Sequence, residues 1–384
     1  MKRILIINYE YPPLGGGGGV AAKKLAEAWS KMGYCVDYIT TWTVGLKKYE
    51  KINGVRVYRI PVIGKRGKEN AGMLSLLTFP VCAYKTADRL CKQNSYEFIN
   101  THFAVPSGPL GVWMSEKYGV KHILSTYGGD IYDPTKKFSP HKWYILKKCV
   151  SWVLNHADVI VPESENIRKY TEKYYKFDRH KMVIIPIPYT KVSFAPVKRH
   201  TIGMKEKQKY LISVGRLVKR KGYEFLLDVV SDIPDVKLII VGNGPMMDQL
   251  KRKALELQIT DRVIFTGNIS EEQKFQYMQN ADIYVLSSVH EGFGIVIQEA
   301  MQVGLPIVST DFGGQTDLII HKENGLLVKY GNKKMMKNAI LRLLTDQKMA
   351  AHMKAVNLKK IKEYRSEKIA EKYLKCIGIN EVDE

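Results

Sequence analysis

The run Ser287-Ser288-Val289-His290-Glu291-Gly292-Phe293-Gly294-Ile295-Val296-Ile297-Gln298-Glu299-Ala300-Met301 decides how the chain is read. Before it, Ala281-Asp282-Ile283-Tyr284-Val285-Leu286-Ser287 is short, apolar and β-rich, which predicts a buried strand. After it, Ile295 to Met301 is apolar apart from Glu299, and Gly304-Leu305-Pro306 stops it, which predicts a helix. A glycine-loosened turn between the two leaves the N–H groups of Phe293, Gly294 and Ile295 to face an anion, above all a phosphate. Glu291 stands at the start of that helix and Glu299 roughly 12 Å further along it, at 1.5 Å per residue. Two carboxylates flanking an anion site suit a diphosphate with a sugar at each end, because carboxylates accept hydrogen bonds from vicinal hydroxyls. The spacing alone fits equally a Glu capping a surface helix and a second Glu on its wet face.

With 384 residues, 45% of them hydrophobic, the chain can bury a large core and is expected to form two domains. No apolar run approaches the roughly 18 residues of a membrane span. The opening Met1-Lys2-Arg3-Ile4-Leu5-Ile6-Ile7 has too short an apolar run for a signal peptide, which needs about 7–15 residues, and reads as a first strand. Cys35, Cys82, Cys91, Cys149 and Cys376 are odd in number and form no Cys-x-x-Cys, as expected of reduced packing cysteines in a cytosolic protein without a metal site. The net charge is +22, and residues 1–200 hold 32 Lys+Arg against 15 Asp+Glu. A basic front half points to an anionic partner: lipid headgroups, a lipid-linked diphosphate or nucleic acid.

Lys2 to Asn8 predicts a strand and Val20 to Met32 an amphipathic helix, joined through Pro12-Pro13 and the five glycines Gly15 to Gly19. Such a loop lets backbone wrap a ligand at a helix N-terminus, with Gly16, Gly17 and Gly18 nearest to it; otherwise it is a flexible connector. A dinucleotide fingerprint is excluded, since that motif turns directly from strand to helix and Asp37 falls inside the next strand. Strands and helices then alternate through Val55–Ile60, Leu74–Gln93, Phe98–Thr101, Pro109–Tyr118 and His122–Ser125, predicting a parallel sheet covered on both faces. His102, a catalytic candidate, and Asp130, a donor-binding candidate, fall at strand carboxyl ends, where functional groups gather, although a lone His is as often structural. The basic, aromatic stretch 136–155 reads either as a membrane-surface helix or as a packed helix with solvated lysines.

Ala157-Asp158-Val159-Ile160-Val161-Pro162 echoes Ala281-Asp282-Ile283-Tyr284-Val285-Leu286, the mark of two similar α/β domains. Pro186-Ile187-Pro188 and residues 198–209 read as a linker. A second alternating series opens at Tyr210-Leu211-Ile212-Ser213-Val214 and carries Gly215-Arg216-Leu217, Lys221-Gly222 and Gly242-Asn243-Gly244-Pro245. Arg216 and Lys221, just past a strand end, can clamp a diphosphate. The last run, Met349 to Cys376, is charged and amphipathic.

In these motifs, together with Gly313-Gly314 and Asn324-Gly325-Leu326-Leu327-Val328, the chain resembles the retaining GT-B nucleotide-sugar glycosyltransferases of glycosyltransferase family 4. The resemblance implies an α/β fold of two Rossmann-like domains with parallel sheets facing a central cleft. An N-terminal acceptor domain would span 1–195 and a donor domain 196–360, with 361–384 returning as a helix to the first. It further implies that Arg216 and Lys221 hold the donor diphosphate with the amides near Phe293, Gly294 and Ile295. Glu299 would take the ribose diol, Glu291 the transferred sugar, the backbone at Ile264 and Phe265 the base, and the Gly16–Gly18 loop the phosphates. Tyr127-Gly128 departs from the family's frequent His-Gly, so His102 could replace that histidine only if it lies close by. There is no Asp-x-Asp, so no metal or other cofactor is expected, and Lys and Arg do the electrostatic work on the leaving diphosphate.

The expected reaction moves a hexose with retention from a nucleoside-diphosphate sugar to a saccharide or lipid-linked acceptor, in a cytoplasmic protein peripheral to the membrane. An epimerase on the same fold is the alternative within enzymes, and a nucleic-acid-binding protein the alternative outside them. The absence of helix-turn-helix, RNP and zinc-finger patterns argues against nucleic acid as a partner.

Overall fold

In a computed structural model describing residues 2–64, 72–134 and 139–379, the chain divides into two units. One comprises Met1–Thr190 and Tyr364–Glu384, the other Lys191–Glu363. Part of the predicted 136–155 segment lies outside the described residues.

The first unit is built on β1 (Arg3–Asn8), β2 (Cys35–Thr41), β3 (Tyr49–Ile52), β4 (Val55–Ile60), β5 (Phe98–His102), β6 (Lys121–Thr126) and β7 (Val159–Pro162). They lie in the order β3-β4-β2-β1-β5-β6-β7, parallel except for the β3–β4 hairpin. The hairpin partner Tyr49–Ile52 escapes a sequence reading, because its burial only alternates between exposed and half-buried at the sheet edge. Strand β1 carries a continuous apolar run, Ile4 to Ile7, because helices cover both faces. The helix Gly17–Lys31 covers one face with Leu25, Ala26 and Trp29, and the helix Ser366–Lys375 packs beside it through Ile369, Ala370 and Tyr373. Trp29 donates its indole N–H to Ala370 O at 3.3 Å. The helix Met73–Gln93 covers the other face with Phe79, Ala83 and Leu90. Asp37 is buried in β2, bound by Arg56 at 2.6 Å and Tyr96 at 2.7 Å, a structural role that removes it from any ribose contact.

The second unit is built on β8 (Lys209–Val214), β9 (Val236–Val241), β10 (Val263–Gly267), β11 (Ile283–Leu286), β12 (Ile307–Thr310) and β13 (Leu326–Val328). Their order is β10-β9-β8-β11-β12-β13, and every pairing is parallel. The final amphipathic run is three pieces, not one helix: Gln347–Lys360, a 3₁₀ turn at Ile361–Tyr364, and Ser366–Lys375. The break is where the chain re-enters the first unit, and there Tyr189 bonds Tyr364 O at 2.6 Å and Ser366 N at 2.8 Å through its own N–H and C=O.

In open α/β sheets ligands sit at the carboxyl ends of strands where the order reverses. The first sheet reverses between β1 and β5, the second between β8 and β11. No helix among the described residues is long and apolar enough to cross a membrane.

Candidate active site

At the reversal of the second sheet the turns after β8 and β11 meet. Lys219–Lys221 forms a 3₁₀ turn ended by Gly222 in the left-handed region (φ 64°), and a Cβ on Gly222 would stand 2.1 Å from Ser287 O. Only glycine lets these backbones approach so closely. The clasp is completed by Ser287 Oγ donating to Lys221 O at 2.9 Å and Val289 N–H donating to Arg220 O at 2.7 Å. From the other side Gly313 (φ 126°) lies against Glu291, where a Cβ would meet Glu291 O at 2.6 Å, and Gly314 N–H donates to that oxygen at 2.8 Å. Gln315, wholly buried, pins the glycine pair by donating to Thr310 O at 3.1 Å and Phe312 O at 2.8 Å.

The backbone of Glu291 is therefore held from two directions, and its side chain is held as well. Lys221 donates to Glu291 Oε1, Ser288 Oγ donates to the same oxygen at 2.8 Å, and Arg220 stands 3.7 Å from Oε2. Both Glu291 and Lys221 are buried. Burial pushes the Glu291 carboxyl up, but the charges of Lys221 and Arg220 and the hydrogen bonds from Lys221 and Ser288 outweigh it and hold the pKa below its ordinary value. The result is an ionised carboxylate in a dry, cationic setting at the foot of the helix Ile295–Val303.

That helix starts at Gly294, in the left-handed region (φ 112°), with no side-chain cap and no acidic residue in its first turn. Phe293 and Gly294 are buried and Ile295 half-buried. A helix N-terminus without a side-chain cap, beside two cations, favours an anion through its dipole. Arg216 is exposed and follows Gly215, whose turn stacks on the second glycine turn: a Cβ on Gly242 would lie 2.2 Å from Gly215 O. Ile264 and Phe265 are half-buried on β10, the edge strand of the sheet, so among the described residues one side of their backbone has no strand partner. Glu299, on the second turn of Ile295–Val303, is ion-paired to Lys274 at 2.9 Å.

The first sheet's reversal differs from expectation in three ways. The helix begins at Gly17, so Gly17 and Gly18 form its first turn and only Gly15 and Gly16 remain loop. Its N-terminus is filled by the chain itself, since Glu10 Oε2 accepts from Gly16 N–H at 2.9 Å and Gly19 N–H at 3.2 Å. Gly18 is fixed by crowding, because a Cβ there would meet the Phe103 ring at 2.3 Å.

Asp130, expected to bind donor, is instead buried and spends its carboxylate on backbone: Oδ2 accepts from Ala104 N–H at 2.6 Å and Oδ1 from Tyr127 N–H at 2.8 Å. It ties the turns after β5 and β6 together. His102, expected to be catalytic, is 1% exposed and bonds Tyr127 OH through Nδ1 at 2.6 Å, and burial lowers its pKa to about 3. It is a neutral ring that positions Tyr127, the residue standing where the family's histidine is frequent. Among the described residues no group of three or more His, Cys, Asp or Glu side chains could hold a metal.

Residues 15–189 match the family model of Glycosyltransferase Family 4, and residues 196–360 match Glycosyl transferases group 1. The chain is 27% identical to an uncharacterised glycosyltransferase of Methanocaldococcus jannaschii, over 90% of this chain and 89% of that protein. It is 25% identical to the alpha-monoglucosyldiacylglycerol synthase of Streptococcus pneumoniae, over 98% and 87%. Among solved structures, the sucrose-phosphate synthase of Thermosynechococcus elongatus superposes with a TM-score of 0.83 at 22% identity, covering 98% of both chains. Anabaena HepE in complex with UDP and glucose superposes with a TM-score of 0.79 at 19% identity, covering 98% of this chain and 99% of that one.

Proposed function

Since the chain belongs to the GT-B glycosyltransferases of the family 4 type, we propose that it transfers a hexose, with retention, from a nucleoside-diphosphate sugar to a saccharide or lipid-linked acceptor. The observation that carries this reading is the buried, ionised Glu291 clasped by Lys221 and Arg220 beside the uncapped helix Ile295–Val303.

In the reaction the bond between the anomeric carbon and the diphosphate oxygen breaks. The acceptor oxygen bonds to that carbon from the same face, and its proton passes to the departing diphosphate. Negative charge accumulates on the diphosphate, where Lys221, Arg216 and the amides of Gly294 and Ile295 meet it. Positive charge accumulates on the sugar, where Glu291 is the nearest anion. Glu291 accepts sugar hydroxyls, Glu299 the ribose diol, and the β10 edge at Ile264 and Phe265 the base. HepE bound to UDP and glucose, and a second HepE structure bound to UDP-glucose, support a nucleotide sugar as donor. The name of the pneumococcal synthase supports a glycolipid setting.

A lipid-linked acceptor would be reached at the inner face of the plasma membrane. Trp143, Tyr144 and Ile145 are exposed beside Lys142, and Met73, Leu77 and Val81 form an exposed stripe at four-residue spacing on the helix Met73–Gln93. These faces, with the basic excess of residues 1–200, fit an anionic bilayer.

The reading is tested by a thermal-shift screen with UDP-, GDP- and ADP-linked hexoses, then by product analysis with and without acceptor. One donor at 100 times its dissociation constant should stabilise the protein by about 2.7 kcal/mol. A sugar-acceptor product supports transfer, whereas conversion of the donor without any acceptor would establish the epimerase.

A further inference from the structure

Lys274, on the helix Glu271–Asn280, is 8% exposed, and the reaction described above makes no use of it. Its ammonium donates to Glu299 Oε1 at 2.9 Å and to the Glu271 carboxylate at 2.8 and 3.0 Å, and lies 5.2 Å from the centroid of the Phe275 ring. Burying an ammonium is costly unless anions surround it. Burial pulls the Lys274 pKa down, but Glu299 and Glu271 more than reverse this, and the ammonium stays charged. Glu271 has a side chain 71% exposed, against 14% for Glu299, so the strongly felt partner is Glu299.

A carboxylate on the second turn of a helix ordinarily samples several rotamers and loses that freedom when a ligand fixes it. Here a cation from the neighbouring helix already holds one of its oxygens. A carboxylate has about four lone-pair sites, so one bond to Lys274 still leaves acceptor capacity for hydroxyls.

We infer that Lys274 is a positioning residue for the nucleotide ribose: it holds Glu299 in one rotamer, so that the carboxylate meets the ribose diol pre-oriented. This rests on the assignment of Glu299 to the ribose, and the test separates the two.

Whichever of UDP, GDP and ADP binds is compared by calorimetry with its 2′-deoxy form. Wild type should prefer the ribonucleotide by about ten- to a hundredfold, the range of a hydrogen bond to a charged group. Glu299→Ala should collapse that preference. Lys274→Met should collapse it to the same level, Lys274→Arg should restore most of it, and adding Lys274→Met to Glu299→Ala should remove nothing more. If Lys274→Met does not fold because an unpaired carboxylate is left inside, Lys274→Met/Glu299→Gln removes both charges and is compared with Glu299→Gln, again expecting no further loss. A preference kept in Lys274→Met, or a further drop when that change is added to a Glu299 variant, overturns the inference while leaving Glu299 on the ribose. A preference kept in Glu299→Ala overturns the ribose assignment itself.

Discussion

Two buried charges, Lys221 and Glu291, form the ion pair on which the proposed function turns, and their substitutions should behave differently. Lys221→Ala removes a charge that matters most as the diphosphate departs, so kcat should fall by about 10²–10³ in steady-state assays. It should also destabilise the fold by roughly 3–5 kcal/mol in denaturant titrations, because Glu291 is left as an uncompensated buried anion. Protonation makes a second prediction. Burial lowers the pKa values of His102 and His122 to about 3, while in the unfolded chain they titrate near 6.5. Between these values the unfolded state binds more protons, so stability falls as pH drops through 6.5 towards 3. Each histidine should contribute a slope of about 1.4 kcal/mol per pH unit, and His122→Asn should remove one such share in melts at a series of pH values. Glu291 adds to the same acid loss: its carboxyl, held below its ordinary value in the fold, contributes fully above the ordinary carboxylate range and loses that contribution as pH falls through that range to the depressed folded value.

Among the elements, the start of the helix Gly17–Lys31 makes the sharpest distinction between neighbours. A Cβ at Gly16 meets nothing within 4 Å, whereas one at Gly18 runs into Phe103. Gly16→Ala should leave the melting temperature nearly unchanged, while Gly18→Ala should cost about 1–3 kcal/mol. Glu10→Ala should cost about 0.5–2 kcal/mol as a lost helix cap, read by thermal denaturation.

The elements were largely legible in the sequence, and their side chains less so. Strands such as Ile4–Ile7 and Ile283–Leu286 show as unbroken apolar runs, because both faces of a parallel sheet are covered. Gly222 and Gly313 could be singled out because a close approach or a positive φ demands glycine. Which cation in Lys219-Arg220-Lys221 reaches Glu291 could not be read, since a 3₁₀ turn projects three neighbours in three directions. Arg220 was missed on that account, and Lys274 because its amphipathic helix gives no sign that an acidic partner waits on another. Asp130 and His102 were placed correctly at strand ends, but nothing in sequence distinguishes a carboxylate that binds ligand from one consumed by backbone N–H groups.

For the whole molecule, the uneven charge has a consequence that vesicles can read. Co-sedimentation with liposomes should rise with the fraction of anionic lipid and fall with salt, because surface attraction is screened within about 10 Å at 0.1 M. Replacing Tyr144 and Ile145 together with Ser should weaken binding without changing the melting temperature, since both side chains are exposed. Equal binding to neutral and anionic vesicles would remove the bilayer from the account.

In the proposed function Glu291 serves the transferred sugar and not the nucleotide. Glu291→Gln keeps the size and one acceptor oxygen and loses the charge. Calorimetry with the nucleoside diphosphate, set beside the steady-state rate of transfer by the same variant, measures the two roles separately. Nucleoside-diphosphate affinity should stay within about twofold of wild type, and the transfer rate should fall by about 10²-fold or more. A Glu291→Gln variant that transferred sugar at the wild-type rate would overturn the assignment of Glu291 to the sugar.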